Sequence, residues 1–210
     1  MAGMRIIQTI ACVEEGAAWL GEREPRFGEA YALAAPLPLR RTPDGFDRLF
    51  SAIVGQQVST AAAASIWNRL VAQGLTTPEA VLSADEDTLR APGLSRQKVR
   101  YAKALAGAGI DYDALRALPT EEVIQTLVHV PGIGRWTAEM YAMFALGHAD
   151  VFAPADLALQ EGVRMLWDLP DRPKERALKE MAEGWSPWRA VAARILWGYY
   201  HVRKQREGVR

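Results

Sequence analysis

"LVHVPGIGRWTAEMYAMFALG", residues 127–147, decides how the chain is read. Apolar residues recur at helical spacing on both sides of Pro131, Gly132 and Gly134, so two helices are expected, joined by a hairpin nearly bare of side chains. The first N–H groups of a helix lack intrahelical partners, and the helix dipole leaves partial positive charge beside them. Glycines at 132 and 134 remove the side chains that would hold an anion away from such amides. Pro131 stiffens the entry, and Ile133 is placed to plug the hairpin into its own core. The same letters also admit a plain glycine-mediated turn between packed helices.

The helical period continues outward. In "FDRLFSAIV", residues 46–54, Phe46, Leu49, Phe50, Ile53 and Val54 fall at i, i+3, i+4, i+7 and i+8, the stripe of a helix with one buried face. Similar stripes run through residues 60–72, 97–106, 121–129, 135–146, 157–167 and 187–203, and nothing of comparable length alternates with period two. An all-α protein of roughly ten short helices is expected. "LRAPGLSRQK" (89–98) echoes "VHVPGIGRWT" (128–137), with Pro92, Gly93 and Arg96 in register with Pro131, Gly132 and Arg135.

Composition narrows the class. With 210 residues, 50% of them hydrophobic, the chain has room for a core of one or two closely packed domains. No apolar run is long enough to span a membrane, and Glu14 interrupts the start before any signal-peptide core is complete, so a soluble intracellular protein is expected. A single cysteine, Cys12, excludes an internal disulfide, a four-cysteine zinc site and an iron–sulfur cluster built from this chain's own thiolates. The 25 basic and 25 acidic residues cancel, but "SRQKVRYAK" (95–103) and the tail "HVRKQREGVR" (201–210) are locally basic. Each reads either as a solvated helix face or as a nucleic-acid contact.

A family resemblance follows. The segment "LVHVPGIGRWTAEMYAMFALGHADVFAPADLAL", residues 127–159, resembles the helix-hairpin-helix signature, Gly/Pro-rich loop and aspartate of the DNA glycosylase superfamily named for those features. Within that superfamily "IVGQQVST", "GLSRQKVRYAKALA", "GRWTAE" and "WSPWRAVAARILW" resemble the alkylbase branch, the AlkA-like 3-methyladenine DNA glycosylase II enzymes. The resemblance implies two helical lobes flanking a DNA-binding cleft. One lobe would be residues 45–148, with the helix-hairpin-helix at about 120–147; the other would join 1–44 to 149–210. The N-terminal β domain of some relatives is not expected. The implied activity is monofunctional hydrolytic excision of alkylated bases from double-stranded DNA in base excision repair, leaving an abasic site. A cytoplasmic monomer acting on chromosomal DNA is expected, away from any membrane and needing no cofactor.

The same resemblance assigns residues. Asp156 stands at the catalytic carboxylate; read alone, an aspartate between a proline-bearing loop and an apolar helix is also a common N-cap, and the two readings are compatible. Asp150 matches the motif in a structural or loop-capping role. Trp136, Trp197, Met140 and, weakly, Tyr141 are placed in the base pocket. Trp197 lies off the buried stripe of its helix, on the side of Arg194 and Lys204, and so invites a role beyond packing. Gln57 in "GQQVS" occupies the position of the wedge that fills the gap left by a flipped nucleotide. Gly132, Ile133, Gly134, Arg135, Thr137 and Lys98 are placed at DNA phosphates, and a monovalent cation on backbone carbonyls near Val130 and Ile133 is implied, with no side-chain metal site.

The same residues admit three other readings. Glycosylase/lyases of the superfamily use a hairpin lysine to form a Schiff base, and this chain carries Trp136 there. A non-catalytic DNA clamp would need the hairpin but no carboxylate at Asp156. An all-α interaction protein without nucleic acid has only the neutral net charge in its favour.

Overall fold

The computed structural model describes residues 4–207, so residues 208–210 of the basic tail lie outside the described residues. Among the described residues there are thirteen α-helices, one π-helix and no β-strand beyond an isolated bridge between Ile6 and His148. The chain packs as two compact units, Thr42–Tyr141 and Met1–Arg41 with Ala142–Arg210. The expected boundary at residue 148 therefore moves back to Tyr141. Its cause is a tie to the N-terminal segment: the Ile7 N–H donates to the Gly147 carbonyl at 2.7 Å and the Ala149 N–H to the Arg5 carbonyl at 3.0 Å.

The unit Thr42–Tyr141 is built from α3 (Phe46–Gly55), α4 (Thr60–Ala72), α5 (Pro78–Ser83), α6 (Glu86–Arg90), α7 (Arg96–Gly107), α8 (Tyr112–Ala117), α9 (Thr120–Val128) and α10 (Arg135–Tyr141). The α3 stripe is buried as the spacing predicts: Phe46, Leu49, Phe50, Ile53 and Val54 all lie in the core. Full burial of such a side chain contributes about 1.5–3 kcal/mol, enough to fix which face of α3 turns inward. Small polar residues start several helices, with Ser59, Thr77, Asp85 and Ser95 each accepting a hydrogen bond from a first-turn N–H.

The two echoed hairpins share a backbone solution. Gly93 between α6 and α7 has φ +115°, and Gly132 between α9 and α10 has φ +94°, a region that favours glycine. At Gly132 space is short as well, because a Cβ would fall on the ring of Tyr101 from α7. Gly134 differs: its φ lies outside that region and a Cβ would meet nothing within 4 Å.

The other unit holds α1 (Ile10–Arg23), α2 (Pro25–Ala34), the π-helix Ala142–Leu146, α11 (Leu157–Leu166), α12 (Glu175–Glu183) and α13 (Arg189–Glu207). Residues 190–196 of α13 are buried on every side, so the first half of this helix lies in the core of the unit, while residues 201 and 203–205 are exposed. Helix α11 lies directly on its backbone: a Cβ at Gly162 would stand 3.0 Å from the Leu196 carbonyl oxygen. An aromatic cluster closes the far end, with Trp185 edge-on to Phe27 and to Phe152 at 5.2 Å between centroids in each pair. Phe152 belongs to the loop that leads to Asp156, so the cluster anchors that loop in the core.

The two hairpin glycines separate experimentally. Gly132→Ala should lower stability by about 1–3 kcal/mol, the cost of a strained φ combined with an overlap. Gly134→Ala should cost less, at most about 1 kcal/mol, because it adds no overlap and changes only the N-cap of α10. A stable Gly132→Ala variant would contradict the geometry of the turn.

Candidate active site and nucleic-acid-binding hairpin

Asp156 caps α11. Its Oδ1 accepts the backbone N–H groups of Ala158 and Leu159, both at 3.0 Å, and the indole Nε1–H of Trp197 at 3.2 Å. Three donors on one oxygen fix the plane of the carboxylate and hence the direction of the other oxygen. The side chain is half-buried, within reach of solvent and of a ligand.

The preceding loop is held at both ends. Asp150 accepts from Ser186 Oγ at 2.9 Å and from Arg189 Nε at 2.5 Å, which ties the loop to the start of α13 in the structural role expected of it. Near Asp156, buried Gln160 donates from Nε2 to the Pro154 carbonyl at 2.8 Å, and the Asp156 N–H closes a turn on the Ala153 carbonyl at 3.0 Å. A loop this constrained presents its carboxylate without reorganisation.

In the other unit the hairpin Val130–Gly134 stands beside a cleft of about 410 Å³, lined also by Gln56, Gln57, Ser95, Lys98 and Tyr101. Gln56 donates from Nε2 to the Gly132 carbonyl at 2.8 Å, tying the loop after α3 to the hairpin. Ile133 is buried, as the plug reading expects. Gln57 is exposed and holds φ +56°, uncommon for a non-glycine residue, so its side chain projects from a fixed and unusual backbone position. Trp136 is 48% exposed at the start of α10, Met140 and Thr137 are half-buried on the same helix.

Three expected contacts change. Tyr141 is 2% exposed and its hydroxyl accepts the Gly45 N–H at 2.9 Å, so it is a core residue and not a pocket wall. One residue past Met140 the helix has turned by about 100°, which carries the ring inward. Lys98 is 9% exposed, and its ammonium donates to the Val54 carbonyl at 2.7 Å, satisfying the end of α3 instead of reaching out to a phosphate. Burial lowers its pKa. Arg135 is held by two acids: Nη1 and Nη2 form a bidentate pair with Glu121 at 3.1 and 2.9 Å, and Nε donates to Glu139 at 3.0 Å. The hydrogen bond to Glu121 raises its pKa, and a phosphate would have to compete with that carboxylate.

No group of three or more His, Cys, Asp or Glu residues is placed to hold a metal ion among the described residues. His148 is fully buried, and desolvation with the nearby charge of Arg41 pushes its pKa down to about 4. The binding features that a local reading misses are the Gln56 tether and the Trp197 hydrogen bond. Both join positions distant in sequence, and the sequence offers one advance signal, the place of Trp197 off the apolar stripe expected of its helix.

The family model for HhH-GPD superfamily base excision DNA repair proteins covers residues 50–187. The DNA-3-methyladenine glycosylase 1 of Schizosaccharomyces pombe is 34% identical over 161 residues, 72% of this chain and 71% of that protein. Escherichia coli DNA-3-methyladenine glycosylase 2 is 32% identical over 183 residues, 79% of this chain and 62% of the relative. Among solved structures, the S. pombe 3-methyladenine DNA glycosylase Mag1 in complex with abasic DNA superposes with a TM-score of 0.75 at 30% identity, covering 87% of this chain and 95% of that one. A Bacillus halodurans DNA-3-methyladenine glycosidase superposes with a TM-score of 0.80 at 30% identity, covering 90% and 91%. The chain belongs to the HhH-GPD superfamily of base excision DNA repair proteins.

Proposed function

We propose that this protein is a monofunctional DNA glycosylase that extrudes alkylated purines, such as 3-methyladenine and 7-methylguanine, from duplex DNA and hydrolyses their glycosidic bond. The observation that carries this reading is the Asp156 carboxylate, half-buried and fixed by three N–H donors at the start of α11. Its setting suits electrostatic work. As C1′ parts from the base, positive charge grows on the sugar, and a rigid carboxylate stabilises it without reorienting. Alkylation at N3 or N7 makes the base cationic, so it leaves with the bonding electrons and needs no general acid. Water then adds to C1′ and releases its proton, leaving an abasic site. One carboxylate suffices where ordinary glycoside hydrolysis needs two.

The hairpin supplies the grip. Gly134 caps the start of α10, its carbonyl accepting the Ala138 N–H at 3.1 Å, and has no packing reason to be glycine; room for a phosphate beside the N-terminal amides of α10 supplies a further one. Such contacts hold the duplex in register without reading its sequence. Exposed Trp136 offers an indole face to an electron-poor extruded base, with Met140 beside it. Gln57 serves as the wedge in the emptied stack. A hard monovalent cation at the hairpin would rest on the carbonyls of Val130 and Ile133, the oxygen donors such ions take. The Val130 carbonyl already accepts the Ile133 N–H at 3.0 Å, which leaves its second lone pair for the ion. We place the enzyme with chromosomal DNA in the cytoplasm as a monomer working without a cofactor; no helix of the described residues is long and apolar enough to cross a membrane.

Asp156→Asn retains an N-cap acceptor of the same shape. It should cut single-turnover release of alkylated bases by about a hundredfold or more, the range for a lost preorganised electrostatic group, with duplex binding kept. Unchanged release would remove Asp156 from the chemistry. Borohydride added during turnover should trap no protein–DNA adduct, because Trp136 stands where a lyase carries lysine; a trapped adduct would mean a Schiff-base mechanism. Gly134→Ala should weaken binding of undamaged duplex severalfold, and undiminished binding would leave the bare hairpin without its task.

A further inference from the structure

Trp197 is built into its unit from both sides. Its Nε1–H points at Asp156 Oδ1 from 3.2 Å. Its ring lies against Phe144 of the π-helix, with centroids 5.8 Å apart and planes 31° from parallel. Phe144 in turn carries the Arg194 guanidinium 4.9 Å from its centroid. Arg194 is buried and donates to the carbonyls of Ala190 at 2.8 Å and Leu39 at 3.3 Å. A guanidinium removed from water is costly unless its surroundings compensate, and an aromatic face is one such partner. The row Arg194, Phe144, Trp197 therefore ends in a single polar contact, the indole N–H on the carboxylate.

The Asp156 oxygen would keep two backbone donors without the indole, and these alone make a complete N-cap. A third donor, coming from another helix, adds nothing that capping requires. It does restrict rotation of the carboxylate about its Cα–Cβ and Cβ–Cγ bonds. An indole whose ring is already covered in part by Phe144, and whose N–H is engaged by Asp156, is also poorly placed to serve chiefly as a stacking surface.

We infer that Trp197 is a positioning residue: its indole N–H aims the Asp156 carboxylate at the sugar, and Phe144 and Arg194 hold the ring for that purpose. The inference rests on the glycosylase reading above, with Asp156 as the group that meets the developing charge. It moves Trp197 from the base pocket to the support of the carboxylate. Its effect should then be independent of which base leaves.

The test is Trp197→Phe, which keeps an aromatic ring against Phe144 and deletes the donor. Single-turnover release at saturating enzyme should fall about tenfold to a hundredfold, the range for one hydrogen bond to a charged group. The loss should be equal for 3-methyladenine and 7-methylguanine, with the affinity for lesion duplex unchanged. In an Asp156→Asn background the same substitution should cause little further loss, because both act through one group. Losses that differ between the two bases, or that appear in affinity, would overturn the inference and return Trp197 to the pocket wall, as would full additivity with Asp156→Asn. Folded protein without DNA gives an independent readout. The Trp197 indole N–H proton should resonate downfield and move toward the other indoles in Asp156→Ala; an unmoved resonance would also overturn it. If Asp156→Asn alone released bases at the parental rate, the glycosylase reading would fail instead, a result distinct from each of these.

Discussion

One oxygen atom organises the site. Oδ1 of Asp156 receives two amides from α11 and an indole from α13, so the carboxylate is referenced to two helices at once. That arrangement depends on how closely the helices approach. A side chain at Gly162 would press on the Leu196 carbonyl, and any separation of α11 from α13 would draw the indole away from Asp156. Burial of residues 190–196 of α13 on all sides and the Asp150 ties to Ser186 and Arg189 serve the same end. The hydrogen bonds thus restrain the carboxylate, which is the condition that the proposed electrostatic catalysis without reorganisation requires.

The hairpin follows a different economy. Gly132 is demanded by the fold, through its φ and through Tyr101, whereas at Gly134, the N-cap of α10, a Cβ would meet nothing within 4 Å. Two glycines that look alike in sequence thus differ in their surroundings, one closely packed and one facing open space. The cations nearby are engaged inside the protein, Lys98 by the Val54 carbonyl and Arg135 by Glu121 and Glu139, so the proposed grip on DNA would rest on backbone amides more than on side-chain charge. A chain with zero formal net charge can work in this way, since amides at a helix start attract phosphate without adding to the charge count.

Much of this was legible in the sequence, for identifiable reasons. The helical stripes of residues 46–54, 60–72 and 121–129 appear as α3, α4 and α9 because a helix with one buried face leaves a local periodic mark. Asp156 was legible twice over, as an N-cap and by family resemblance, and its capping geometry is present. Residues 10–34 form α1 and α2 without carrying a motif that announces them. Lys98 misleads because a lysine amid basic neighbours looks solvated, while its partner, the Val54 carbonyl, lies far away in the chain. Tyr141 misleads by proximity, since adjacency in sequence is not adjacency on a helix. Trp197 was visible as an indole out of place, but its target could be seen only once α11 and α13 were side by side.

If a single fixed carboxylate stabilises positive charge on the sugar, the protein should distinguish a cationic sugar mimic from a neutral one. The direct measurement is the affinity of wild type and Asp156→Asn for duplexes in which a pyrrolidine or a tetrahydrofuran replaces the sugar at the lesion site. Wild type should prefer the cationic pyrrolidine on the order of a hundredfold, as expected for a transition-state mimic, and Asp156→Asn should lose most of that preference. Equal affinity of wild type for the two duplexes, or a preference that survives in Asp156→Asn, would contradict the assignment of the charge-stabilising role to Asp156.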